Sequence, residues 1–109
     1  MKIANVSHRF IGFTFVRLFR LTVDAETGAY SLDLELSDSE HQAAAGLVAS
    51  FHDVSKLGLR EFGGGWTQIL HIAVEDCSEN QWDRVRFRVH DLENGVLFFQ
   101  CKQIVIEDK

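Results

Sequence analysis

The most regular alternation of apolar and polar positions runs over residues 29–36, where Tyr30, Leu32, Leu34 and Leu36 alternate with Ser31, Asp33 and Glu35. A period of two marks a strand with one buried and one wet face. The run before it, residues 12–24, is rich in the Phe, Val and Thr that strands favour. It sets Phe13, Phe15, Phe19, Leu21 and Val23 on one face, interrupted by Arg17. The arginine stem is expected along the core edge with its head in water. Ala25-Glu26-Thr27-Gly28 joins the two runs and supplies a glycine for a left-handed turn position. Together they predict a β-hairpin with an acidic outer face.

A second hairpin is predicted in residues 82–106. Val85, Phe87 and Val89 fall on one side of its first strand, and Arg84, Arg86, Arg88 and His90 on the other. Asn94-Gly95 is the strongest hairpin-turn signal in the chain. A two-residue loop would set Phe87 opposite Lys102 and Val89 opposite Gln100, burying a lysine and an amide. A three-residue loop, Glu93-Asn94-Gly95 with Gly95 as a left-handed bulge residue, sets Val89 opposite Phe99 and Phe87 opposite Cys101. A slip of one residue exchanges the two faces, so the core pattern selects the three-residue loop. Arg86 and Arg88 then lie beside Lys102 and Gln100, on a face that also carries Phe98, Ile104 and Ile106.

The remaining segments are shorter. Residues 2–6 suggest an edge strand, and residues 47–52 and 56–62 suggest two strands around a bend at 53–55. Residues 66–76 read as a strand with Leu70, Ile72 and Val74 on one face and Thr67, His71 and Glu75 on the other. Ser37 and Glu40 have capping-box spacing and Ala43-Ala44-Ala45 favours helix, which allows a turn or two of helix before Gly46. Gly63-Gly64-Gly65 reads as a wide turn or a close backbone approach. A phosphate loop would need a following Lys or a helix N-terminus, and Trp66 with a strand-like run follows instead. The pattern predicts an all-β protein with at most one short helix, an antiparallel meander forming a barrel or a two-layer sandwich. Its 109 residues fit one domain spanning 1–109.

Charge changes this picture more than composition does. The net charge is -5, which disfavours a nucleic-acid binder, since phosphate neutralisation needs surplus Lys and Arg. Between residues 23 and 54 stand seven carboxylates (Asp24, Glu26, Asp33, Glu35, Asp38, Glu40 and Asp53) and no Lys or Arg. Such a field steers basic partners and repels polyanions, and these seven residues are the candidate partner-binding set. The arginine stripe of the second hairpin has a structural reading, its stems covering apolar neighbours and its heads pairing with Glu75 or other carboxylates.

Candidate catalytic chemistry is absent from the pattern. The five histidines are scattered, and neither they nor the two cysteines have metal-ligand spacing. Cys101 sits in an apolar strand and is expected to be a small buried hydrophobe. Cys77 lies among Glu75, Asp76 and Glu79, which would raise a thiol pKa rather than activate it. No catalytic residue, metal or cofactor is expected. The N-terminal apolar run lacks a cleavage site, and no stretch approaches the 18 or so apolar residues of a membrane span. A cytoplasmic protein with reduced thiols, without membrane or nucleic-acid partner, is the expectation.

Five stretches carry a family resemblance: Phe51-His-Asp-Val-Ser-Lys-Leu57, Phe62-Gly-Gly-Gly-Trp-Thr-Gln-Ile69, Gln81-Trp82, Phe87-Arg-Val-His-Asp-Leu-Glu-Asn-Gly95 and Phe99-Gln-Cys101. They resemble small bacterial immunity proteins encoded beside polymorphic or contact-dependent toxins, over about half the chain and without any catalytic motif. The resemblance implies a non-enzymatic cytoplasmic protein that binds and neutralises a cognate toxin domain. The acidic run adds that the toxin is basic, as a nuclease would be. The alternative from another class is a small-ligand-binding β-barrel with aromatic side chains lining its cavity. An enzyme, or a subunit of one, is the third class, and no residue set nominates it.

Overall fold

A computed structural model describes residues 3–41, 45–77 and 86–108, with the side chains of residues 3–5 left aside. One helix, α1 (Ile3–Arg9), precedes seven strands. These are β1 (Phe15–Val23), β2 (Tyr30–Ser37), β3 (Gly46–Leu59), β4 (Ile72–Asp76), β5 (Phe87–Asp91), β6 (Leu97–Cys101) and β7 (Gln103–Asp108). The strands form one antiparallel sheet in the order β1-β2-β3-β6-β5-β4, with β7 also on β3. It is all-β, as expected, and it does not close into a barrel.

The architecture turns on β3, which the sequence pattern divided into two strands. Its first half pairs with β2 along one edge and with β7 along the other, while Ser55, Gly58 and Leu59 pair with β6. The change of partner falls where Asp53 and Lys56 take φ of +57° and +53°. Left-handed residues other than glycine carry strain, least for a short polar side chain such as Asp. The bend brings both halves of the sheet onto one core. Leu32, Leu34 and Leu36 of β2 stand opposite Phe51, Ala49 and Leu47 of β3, and all six are buried. Phe51 in turn meets Phe99 of β6, with ring centroids 4.7 Å apart. The aromatic side chains at the centre therefore fill a packed interior instead of lining a ligand cavity.

The second hairpin adopts the register chosen by the core pattern. Phe87 pairs with Cys101 and Val89 with Phe99, and Gly95 takes φ of +64°. Asp91, 4% exposed, clips the loop: its carboxylate accepts the Glu93 N–H at 3.1 Å and the Val96 N–H at 3.2 Å. The second strand ends at Cys101, however, and does not run on to Ile106. Lys102 turns the chain, its N–H bonding to the His52 carbonyl, and the residues beyond it become β7. Ile104 and Ile106 consequently lie opposite Phe51 and Ala49, not beside the arginines. Covering the open edge of β3 and burying Ile104 outweighs a longer hairpin.

Other expectations are corrected too. The edge strand foreseen near the N-terminus is α1: Val6 within it and Phe10 in the turn just after it are buried against the core. The Ser7 hydroxyl oxygen accepts the Val74 N–H at 3.0 Å and fixes the helix on β4. In β1 the register shifts between Val16 and Leu18, which resets the alternation. Phe13, Val16 and Phe19 pack on the core, whereas Leu21 and Val23 are exposed. Strand β4 begins only at Ile72, because residues 67–69 bond across the start of β1, through Val16 N–H to Thr67 O and Ile69 N–H to Thr14 O. Leu70 is exposed as a result. Residues 38–41 form a bend, with the buried Ser37 hydroxyl donating to the Ser39 carbonyl at 2.6 Å. Lys2, the alanines at 43 and 44, and the segment carrying Glu79, Gln81, Trp82, Arg84 and Val85 lie outside the described residues.

Candidate functional site

Strand pairing sorts the acidic residues by place. The outer face of the β1-β2-β3-β7 half is built of three rows. One runs Leu18, Glu35, Val48, Glu107; the next Arg20, Asp33, Ser50, Val105; the third Thr22, Ser31, His52, Gln103. This face carries three carboxylates and one arginine among the described residues. Asp33 is paired with Arg20. Arg20 reaches it with Nη2 at 3.0 Å and Nε at 3.3 Å. Its carboxyl group is held below the ordinary range, chiefly by a hydrogen bond from Ser50 and then, against the cost of partial burial, by Arg20 and the nearby His52.

The other candidate residues do not share that face. Asp24 shapes the β1–β2 turn, its carboxylate accepting the Glu26 N–H at 2.8 Å, and Glu26 is exposed beside it. Asp38 and Glu40 are exposed on the loop at the opposite end of β2. The eight residues of β2 hold these two ends roughly 25 Å apart at ~3.3 Å per residue. Asp53 is half-buried at the β3 bend. The seven carboxylates thus occupy four places, and only Asp33 and Glu35 are neighbours on one face. Glu107 joins them, a residue that sequence reasoning missed. The alternation Gln103, Val105, Glu107 marks it as outward-facing, but only once β7 is known to leave the hairpin.

The rim beyond Glu35 is organised by Arg17. Its guanidinium donates to the carbonyls of Ser39 (3.3 Å) and His41, and lies 5.2 Å from the ring centroid of Trp66. One arginine therefore joins the acidic loop to the glycine loop. Phe15 meets Trp66 edge to face at 6.1 Å, so the β1 bulge that removes Phe15 from the core gives it to this tryptophan. Gly63, Gly64 and Gly65 all have φ between +77° and +123°, and a Cβ on any of them would meet nothing within 4 Å. The glycines serve a wide turn by conformation, not by close approach. Trp66 is 50% exposed beside a cleft of about 450 Å³ bordered by Arg60, Glu61, Gln68, Glu93 and Asn94.

The arginine stripe has structural partners. Arg88 lies 3.7 Å and His90 2.9 Å from the Glu75 carboxylate, as the pairing with Glu75 foresaw for the stripe. Arg86 stacks over the Phe87 ring at 5.1 Å. Both cysteines are buried, and desolvation pushes the Cys101 thiol up to about 12. Among the described residues no group of three His, Cys, Asp or Glu gathers into a metal cluster, and no helix is long and apolar enough to cross a membrane.

A half-exposed tryptophan is of the residue type enriched where one protein binds another. A family comparison gives the chain its class. Residues 2–107 match the family described as immunity protein PIM8, and the chain belongs to it. The match takes in the first fifty residues as well as the stretches that carried the resemblance. Membership makes the chain an immunity protein, whose partner is the toxin it guards against. No curated protein and no solved structure matches it.

Proposed function

We propose that this immunity protein neutralises a basic bacterial toxin, of nuclease type, by laying the acidic outer face of β1, β2, β3 and β7 across it in the cytoplasm. The observation that carries the reading is the grouping of Asp33, Glu35 and Glu107 on one face against Arg20, the one arginine among its described residues. In this reading Asp38 and Glu40 extend the contact at one rim. Asp24, Glu26 and Asp53 contribute at longer range by steering the encounter. Neutralisation is steric and electrostatic, with no catalytic group, metal or cofactor supplied by this chain.

The test is association of the purified chain with an inactivated form of the toxin domain encoded beside it. Glu35→Lys with Glu107→Lys should slow association at least tenfold at low salt and flatten its salt dependence. Asp24→Lys with Glu26→Lys should have a smaller effect. Equal rates for all variants would remove the acidic face from the interface.

A further inference from the structure

Charge led the search for an interface, and charge alone passes over the most conspicuous side chain on the surface. We infer that Trp66 anchors the toxin-docking surface, and that the cleft beside it receives a lysine or arginine side chain from a basic segment of the toxin. This rests on the reading above that the partner is a basic toxin, and it names where that partner is gripped.

Four independent features converge on Trp66. It is half exposed, although large aromatic rings are normally well buried and are enriched as anchors in protein interfaces. Its loop is held in an unfavourable conformation. Glu61 has φ of +52°, a left-handed conformation that strains a residue with a Cβ, whereas the positive φ of the three glycines after Phe62 costs them nothing. Backbone strain of this kind collects at functional sites.

The loop is also fixed in advance. The Arg60 N–H bonds to the Val96 carbonyl at 2.9 Å, the Gly63 N–H to the Thr67 hydroxyl at 2.9 Å, and the Val16 N–H to the Thr67 carbonyl at 2.9 Å. Phe15 and Arg17 then hold the indole itself. A ring positioned before binding loses little entropy on binding.

The cleft decides the chemistry of what enters. Exposed Glu61 and Glu93 border it together with Arg60, and Gln68 and Asn94 also line it. Two carboxylates beside a half-exposed indole, whose ring already carries the Arg17 guanidinium, suit a cation held chiefly by the carboxylates. Arg17 ties this cleft to the loop bearing Asp38 and Glu40, so the acidic rim and the anchor form one continuous edge.

The chain has two tryptophans, so Trp82→Phe leaves Trp66 as the sole reporter. Titration of this variant with the inactivated toxin domain encoded beside the chain should shift the emission to the blue and protect it from acrylamide quenching. Trp66→Ala, checked for an unchanged fold by circular dichroism, should weaken the complex roughly thirty-fold, and Glu61→Lys with Glu93→Lys should weaken it too. If the wild-type chain binds while Trp66 stays fully quenchable and Trp66→Ala retains its affinity, the anchor is overturned and the acidic-face reading survives. If the wild-type chain does not bind that toxin domain, both fall together.

Discussion

Phe51 and Phe99 meet edge to face, 74° between ring planes, and join the two halves of the sheet through wholly buried aromatic rings. Removing either ring leaves a cavity at the centre of a core that both halves share. Phe51→Ala or Phe99→Ala should cost about 3–5 kcal/mol, a large share of a stability of order 5–15 kcal/mol. Phe99→Leu keeps most of the apolar volume and should cost much less. Urea unfolding followed by circular dichroism measures both.

The hairpin loop of β5 and β6 should respond at two linked positions. Gly95 sits at φ of +64°, where a Cβ costs about 1–2 kcal/mol, so Gly95→Ala should destabilise by that amount. Asp91→Ala strips two N–H groups of their acceptor, worth about 1–3 kcal/mol. Both substitutions act on the same turn, so the double variant should lose less than the sum of the singles. Additive losses would mean that the carboxylate clip and the bulge are energetically separate.

Asp33 makes stability depend on pH in a defined direction. Its folded carboxyl titrates below its unfolded value, so the stabilisation is present above the unfolded pKa and is lost as pH falls through the folded one. The difference in stability between wild type and Asp33→Asn should therefore be constant near neutrality and shrink below about pH 4. Ser50 supplies the largest lowering influence, and Ser50→Ala should move the Asp33 titration, followed by carboxyl carbon NMR, upward towards the ordinary value.

The Cys101 thiol, wholly buried and pushed up to about 12, should resist alkylation at pH 8 in the folded protein. Its modification by iodoacetamide, read by peptide mass spectrometry, should accelerate sharply in denaturant. Rapid labelling of native Cys101 would show that the β5–β6 region opens locally without global unfolding.

Where local pattern and burial agreed, the sequence was legible. The period of two in β2 and the apolar pairing of Phe87 with Cys101 and Val89 with Phe99 were readable because a one-residue slip would bury charge. Partner exchange between strands was not readable. Lys102 carries no turn signature, and whether Ile104 follows β6 or crosses to β3 is decided by an edge 50 residues away in the chain. The same non-local choice hid Glu107 from the acidic face. In β1 the bulge at Arg17 changed which phenylalanines reach the core, and a bulge has no mark in an apolar run of this kind. Glycine content foretold a wide turn at residues 63–65, but its product, a half-exposed Trp66 clasped by Phe15 and Arg17, depends on contacts between distant segments.

Arg17 holds the 38–41 loop through the backbone carbonyls of Ser39 and His41, not through their side chains. Every residue type offers that carbonyl, including proline. The Arg17 contact therefore does not depend on the side chains at 39 and 41, although the Ser39 hydroxyl also accepts the His41 N–H at 3.2 Å. The loop can exchange the outward chemistry of exposed Asp38 and Glu40, charge included, while its path stays tied to β1. An edge built in this way can change its surface chemistry one side chain at a time without renegotiating the fold beneath it.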